Sequence, residues 1–205
     1  MVRYTILATA FCILGLQSVM PVHADHTESQ RVNRVSEAWP VGDFTLVDQY
    51  GKAFTSKRML ARWSFIVLGN TRCAEPCKTA LTALTGMFQR IAGTKPIQTT
   101  QVLFVSLDPE RDSPASLQKY LAPFDKRFVG VTGSEQALKE FAADLGMSAR
   151  FPTPPGTAAA SDDKYNGSLL LMGPDGTVLS EFLPPFDVSL LTAEYLKTRV
   201  RGVRD

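Results

Sequence analysis

Histidine and cysteine are scarce in this chain of 205 residues, with two of the former and three of the latter. Charge of one sign is also missing: 22 basic residues face 20 acidic ones, a formal net charge of +2. That balance gives no electrostatic case for nucleic acid. The basic residues are scattered, apart from a short C-terminal cluster, Arg199, Arg201 and Arg204, which reads as solvated; the C-terminal tail is expected over 201–205. No internal repeat is present, which excludes solenoids and arrays. No apolar run reaches the roughly 20 residues of a spanning helix. What remains, with 44% hydrophobic residues, fits one domain with an ordinary core rather than a disordered or fibrous protein.

The first 24 residues read as a secretory signal. Arg3 supplies the basic start, Ile6 to Leu16 the short apolar segment, and Val22-His23-Ala24 the small-x-small cleavage pattern. The expected mature start is Asp25, in an exported, periplasmic protein; an uncleaved anchor facing the periplasm is the alternative. Cleavage removes Cys12 and His23, leaving Cys73, Cys77 and His26. An exported chain with one close cysteine pair is not a disulfide-dense scaffold. The pair is a small staple, a redox couple or a metal site.

Residues 25–40 are polar and aperiodic, and read as a flexible leader. The domain is expected over 41–200. Phe44 to Val47 and Lys52 to Thr55, around Asp48-Gln-Tyr-Gly51, predict a hairpin. Trp63 to Gly69 is a continuous apolar run, as in a strand buried on both faces. Leu81, Leu84, Phe88 and Ile91 recur at helical spacing, predicting a helix from about Cys73 to Ala92. Gln101 to Leu107 predicts a second buried strand. Ser113 and Pro114 open a helix reaching about Leu121. Phe128 to Thr132 predicts a third strand. Ser134 caps a helix that ends at Gly146. Residues 148–164 predict a long loop, and Pro174-Asp-Gly176 a turn joining strands over 168–172 and 178–182. A last helix is expected from about Asp187 to Val200. Trp39 and Trp63 read as packing residues. Alternating strands and helices imply an α/β fold, a partly parallel sheet with helices on both faces.

Cys73-Ala-Glu-Pro-Cys77 then falls at the carboxyl end of the first buried strand, where chemistry collects in open α/β sheets. A helix N-terminus favours a thiolate over a thiol, and a neighbouring Arg72 adds to that. Cysteines four apart meet across one turn if the first lies in the loop. They can close a disulfide or hold one soft ion between two sulfurs. Pro76 is tolerated in a first helical turn. A structural disulfide over so short a loop contributes modestly. Asp108, at the end of the neighbouring strand, is placed to tune the cysteines' protonation; a turn with capping carboxylates explains Asp108, Glu110, Arg111 and Asp112 equally well.

Asn70-Thr-Arg-Cys-Ala-Glu-Pro-Cys77, Val105-Ser-Leu-Asp-Pro-Glu-Arg-Asp-Ser-Pro114 and Phe124-Asp-Lys-Arg-Phe-Val-Gly-Val-Thr-Gly133 together resemble the Sco/SenC family. The resemblance runs from about Val41 to Val200. It implies a thioredoxin-like mixed sheet flanked by helices with an N-terminal β-hairpin, and a role in assembling the binuclear copper site of cytochrome c oxidase. It further implies that Cys73 and Cys77 are the copper-binding and redox cysteines, and some family members act as thiol–disulfide reductases. The family's histidine ligand lies about nine residues before the proline of the Pro-Asp-Gly turn. Here that position is Tyr165, beside Asn166 and Gly167, and no histidine follows His26. Lys78 stands where the family usually has proline. Losing an imidazole weakens Cu(II) binding most, because two thiolates suffice for Cu(I). His26, Met147 and Met172 are the candidate substitutes, although both methionines fit core positions better.

The expected function is therefore a periplasmic thiol protein assisting a respiratory copper enzyme. It acts by thiol–disulfide exchange, Cu(I) delivery, or both, through Cys73 and Cys77. The expected partner is a copper-enzyme subunit or another redox thiol protein. A thiol peroxidase, drawing on Thr71 and Arg72, and a non-catalytic copper sensor or docking module are the alternatives.

Overall fold

The computed structural model describes residues 30–35, 40–73, 75–147 and 167–201. The strands are β1 (Val32–Arg34), β2 (Thr45–Asp48), β3 (Ala53–Thr55), β4 (Trp63–Gly69), β5 (Thr100–Ser106), β6 (Phe128–Thr132), β7 (Leu169–Met172) and β8 (Val178–Phe182). The helices are α1 (Glu75–Arg90), α2 (Lys95–Gln98), α3 (Pro114–Leu121), α4 (Glu135–Asp144) and α5 (Val188–Arg201). Among the described residues the strands form one sheet in the order β1-β8-β7-β4-β5-β6-β2-β3.

All residues of β4 and β5 are buried, as strands covered on both faces must be. They pair in parallel from Trp63↔Thr100 to Gly69↔Ser106, and β6 continues the parallel set. The crossovers between these strands need helices, and α1 and α3 supply them. Phe128 and Gly130, two apart on β6, share one face. Phe128 meets Phe88 of α1 edge-on, and Gly130 is crowded by Leu117 and Leu121 of α3. On that same face Tyr195 of α5 packs on Trp63 and Phe65. Leu46 of β2 faces the other way and borders Gly133 together with Ala137 of α4. Helices thus cover both faces, as the alternation of elements implied.

The caps follow the sequence signals. The Ser113 hydroxyl accepts from the Ser116 N–H, and Ser134 does the same for Ala137. Gly146 closes α4 with φ of 71°, a left-handed conformation that suits glycine. Trp63 is buried in the core, as is Met172, and Met147 packs against it.

Three expectations are corrected. The stretch read as a leader over 25–40 contains β1, which pairs antiparallel with β8 through Val32↔Phe182, and Pro40 bridges to Thr177. A three-residue edge strand is held by backbone bonds and carries too little pattern to be seen. Helix α1 begins at Glu75 instead of Cys73, because Cys73 closes a turn on the Asn70 carbonyl at 3.1 Å. Arg199 does not belong to a solvated tail. It lies on α5, donates to the Tyr195 hydroxyl at 2.8 Å and to Thr99 at 3.0 Å, and its guanidinium covers the Trp63 ring. Arg201 also belongs to α5.

The signal over 1–24, His26, Trp39, the loop over 148–164, Tyr165, Asn166 and Arg204 lie outside the described residues. Among the described residues no helix is long and apolar enough to cross a membrane.

Candidate dithiol site

The site grows from the carboxyl end of β4. Gly69 ends the strand, and its carbonyl accepts from the Leu107 N–H at 2.9 Å, which carries the ladder with β5 one step further. Buried Asn70 then turns the chain: its side-chain oxygen accepts the Arg72 N–H at 2.9 Å while its carbonyl accepts the Cys73 N–H. Glu75 starts α1, with Pro76 in the first turn, where a missing N–H costs nothing. Cys73 therefore sits in the turn and Cys77 in the helix, their Cα atoms 5.7 Å apart, and the two sulfurs are bonded. Cys73 is 3% exposed and Cys77 fully buried.

Two glycines make room for this arrangement. A Cβ on Gly69 would lie 2.6 Å from the Cys77 Sγ and 3.2 Å from the Phe104 ring. The sulfur occupies the space that a side chain at the strand end would take. Gly167, with φ of 67°, presses on α1 so closely that a Cβ would be 2.5 Å from the Pro76 carbonyl oxygen. The chain thus enters β7 against the residue preceding Cys77. Tyr165, the expected counterpart of the family histidine, stands two residues before this contact.

The loop after β5 braces the turn. The Asp112 carboxylate accepts the Thr71 N–H at 2.8 Å, the Thr71 hydroxyl at 2.6 Å and the Ser106 hydroxyl at 2.6 Å. Asp108 accepts from Arg72 at 3.1 Å and from Arg111 at 2.9 Å, and its hydrogen bond raises the Arg111 pKa above the ordinary arginine value. Asp108 also forms the expected turn, its carbonyl accepting the Arg111 and Asp112 N–H groups. Thr71 and Arg72, which a peroxidase reading would draw on, thus spend their side chains on these two aspartates. From α3, the Tyr120 hydroxyl donates to the Cys73 carbonyl at 3.0 Å, with its ring on Phe104. Burial, helped by the negative charge of Asp112, pushes the Tyr120 pKa up to about 12, so the phenol keeps its proton and remains a donor.

Sequence reasoning missed Gly69, Gly167 and Tyr120. Gly69 was legible only as the last residue of an apolar run. Tyr120 carried no signal beyond its helix.

Among the described residues no group of three or more His, Cys, Asp or Glu is placed to hold a metal ion. A pair of sulfurs can exchange electrons with another disulfide, or as two thiolates hold one soft ion.

A mixed sheet flanked by helices, with a cysteine pair where its central strand meets a helix, defines a thioredoxin-like thiol protein. Within that class the SCO1/SenC family model matches residues 34–198. This chain belongs to the SCO1/SenC family. A putative copper-binding protein of Stutzerimonas stutzeri is 31% identical over 145 residues, which cover 68% of this chain and 67% of that one. The mitochondrial protein SCO1 of Saccharomyces cerevisiae is 36% identical over 137 residues, 66% of this chain and 45% of the yeast protein. The matched stretch thus spans less than half of that relative. Among solved structures, copper-bound yeast Sco1 superposes with a TM-score of 0.65 at 27% identity, covering 78% of this chain and 91% of that one. Copper-bound ScoI of Bradyrhizobium japonicum gives 0.58 at 28% identity, covering 78% and 99%.

Proposed function

We propose that this protein is an exported, periplasmic dithiol protein that serves the assembly of a respiratory copper enzyme of the cytochrome c oxidase type. The observation that carries the reading is the bonded contact of Cys73 and Cys77 at the junction of β4 and α1, in a chain of the SCO1/SenC family. The same two sulfurs serve two steps. As a reductant, the Cys73 thiolate attacks one sulfur of a target disulfide. The target S–S bond breaks, and the leaving thiolate takes a proton. The Cys77 thiolate then attacks the Cys73 sulfur of the mixed disulfide, which closes Cys73–Cys77 and releases the target as a dithiol. Two electrons pass to the target, and another thiol protein restores the pair. Cys73 is the attacking residue because it lies in the turn and retains a little exposure, whereas Cys77 is wholly buried in the helix.

Copper is cargo in this scheme. Reduced Cys73 and Cys77 supply two thiolates, a donor set suited to Cu(I), which passes to a partner by ligand exchange. The chain's histidines, His23 and His26, both precede the domain, so stable Cu(II) storage, which favours nitrogen and oxygen ligands, is not expected. The thiol-exchange step thus takes the larger share of the function.

An anaerobic Cu(I) titration of the reduced protein against a competing chelator, beside Cys73→Ser, tests the reading. One-to-one binding lost in the variant establishes a copper carrier on two thiolates. Absent binding removes copper as cargo and leaves thiol exchange alone. A disulfide that neither copper nor a target disulfide engages when reduced overturns the proposal.

A further inference from the structure

The turn that carries Cys73 is fastened from outside at three points: the buried Asp112 carboxylate, the Asp108–Arg72 pair, and the Tyr120 hydroxyl on the Cys73 carbonyl. Asp112 is 2% exposed and accepts three hydrogen bonds. Two come from Thr71, through its backbone N–H at 2.8 Å and its hydroxyl at 2.6 Å. The third comes from Ser106, the last residue of β5, at 2.6 Å. Thr71 is 41 positions from Asp112 in sequence but two before Cys73. Cys77, by contrast, is held by α1 itself, with its sulfur against Gly69. The separation of the two sulfurs thus depends on two bodies: a helix, and a turn that Asp112 ties directly to the last residue of β5.

We propose that Asp112 is a positioning residue of the dithiol, which acts through Thr71 to hold the Cys73 thiol against Cys77 and so sets the balance between dithiol and disulfide. This rests on the thiol-exchange reading above. Closing a disulfide costs the freedom of the less constrained end. A turn already anchored has lost that freedom before the bond forms, so the effective concentration of one thiol at the other is high. Releasing the anchor leaves both cysteines in place but lowers that concentration. A carboxylate that merely supports the fold stabilises the oxidised and reduced forms equally and leaves the balance unchanged.

The test is the equilibrium with glutathione. Protein dithiol and glutathione disulfide give protein disulfide and two glutathione thiols. The full chain is used with Cys12→Ser, so that only Cys73 and Cys77 react. In Asp112→Asn the constant for disulfide formation is expected to fall about tenfold, the scale of one lost hydrogen bond to a charged group. Thr71→Val, which keeps the backbone bond and loses the hydroxyl one, is expected to fall less and in the same direction. Thr71→Ser, which retains both, is expected to match the parent. A constant within about twofold of the parent in Asp112→Asn, with equal losses of thermal stability in the oxidised and reduced forms, overturns the proposal. If Asp112→Asn does not fold, Thr71→Val decides by the same criterion. A parent pair that exchanges with neither glutathione nor dithiothreitol overturns the thiol-exchange reading itself, before any variant is compared.

Discussion

Replacing Gly69 by alanine adds one methyl group at the point where the strand end meets the disulfide. The new carbon would lie 2.6 Å from the Cys77 Sγ and 3.2 Å from the Phe104 Cε2. Contacts that short force a neighbour to move. In the oxidised protein the Cys77 sulfur is bonded to Cys73 and cannot swing aside. Phe104 is itself fully buried beneath the Tyr120 ring. The strand end or the first turn of α1 must therefore shift, and overpacking of this kind costs about 1–3 kcal/mol. For a domain of this size that is a fall in Tm of roughly 2–12 °C. In the reduced protein the Cys77 side chain is free to rotate, so the loss is smaller and the variant is more easily reduced than the parent. Thermal unfolding of both redox forms, followed by circular dichroism, measures each loss. Gly93→Ala is the control: it has φ of 76° but nothing within 4 Å of a new Cβ, so it isolates a left-handed backbone cost of about 1 kcal/mol, equal in both forms. An oxidised Gly69→Ala protein that melts with the parent, or equal losses in its two forms, refutes the steric reasoning.

Gly167→Ala combines both penalties, because a positive φ adds to a contact of 2.5 Å with the Pro76 carbonyl; the expected loss exceeds that of Gly93→Ala in urea unfolding, by about 1–3 kcal/mol. Opening the Cys73–Cys77 disulfide, whose cysteines are four apart, is expected to lower stability by only about 2 kcal/mol, so the reduced protein should stay folded by near-UV circular dichroism. Asp48 provides a pH prediction. Burial raises its pKa, but the Arg58 guanidinium and the Lys52 and Tyr50 N–H groups together outweigh burial and hold it below the usual carboxylate value. Its contribution to stability is therefore present above the unfolded-state value of about 4 and is lost as the pH falls through the lower folded one. Asp48→Asn should flatten the acid limb of a Tm-against-pH profile while lowering the Tm at neutral pH. An unchanged acid limb would count against the pairing with Arg58.

The elements of the fold were legible because their causes are local. The apolar run Phe65–Leu68 of β4, the 3.6-residue spacing of Leu81, Leu84 and Phe88, and the serine caps of α3 and α4 all act within a few residues, so they read directly from the chain. The cysteine pair at the junction was legible for the same reason. The family's motifs carried the rest of the functional expectation.

The tertiary structure decided which loops share one end of the sheet. Asp108 and Asp112 stood in the sequence as a turn of uncertain purpose. Only the parallel pairing of β4 with β5 sets Asp112 on Thr71, and Asp108 on Arg72. The strand order likewise brings Gly167 onto Pro76 and seats β1 on β8. Hydrophobic period and capping specify what each segment becomes. They do not specify which segment lies beside which, because that choice is made by burial of whole faces against one another. The sequence thus determined the strand-to-helix junction and its two thiols, and the packing of the sheet determined what holds those thiols in place.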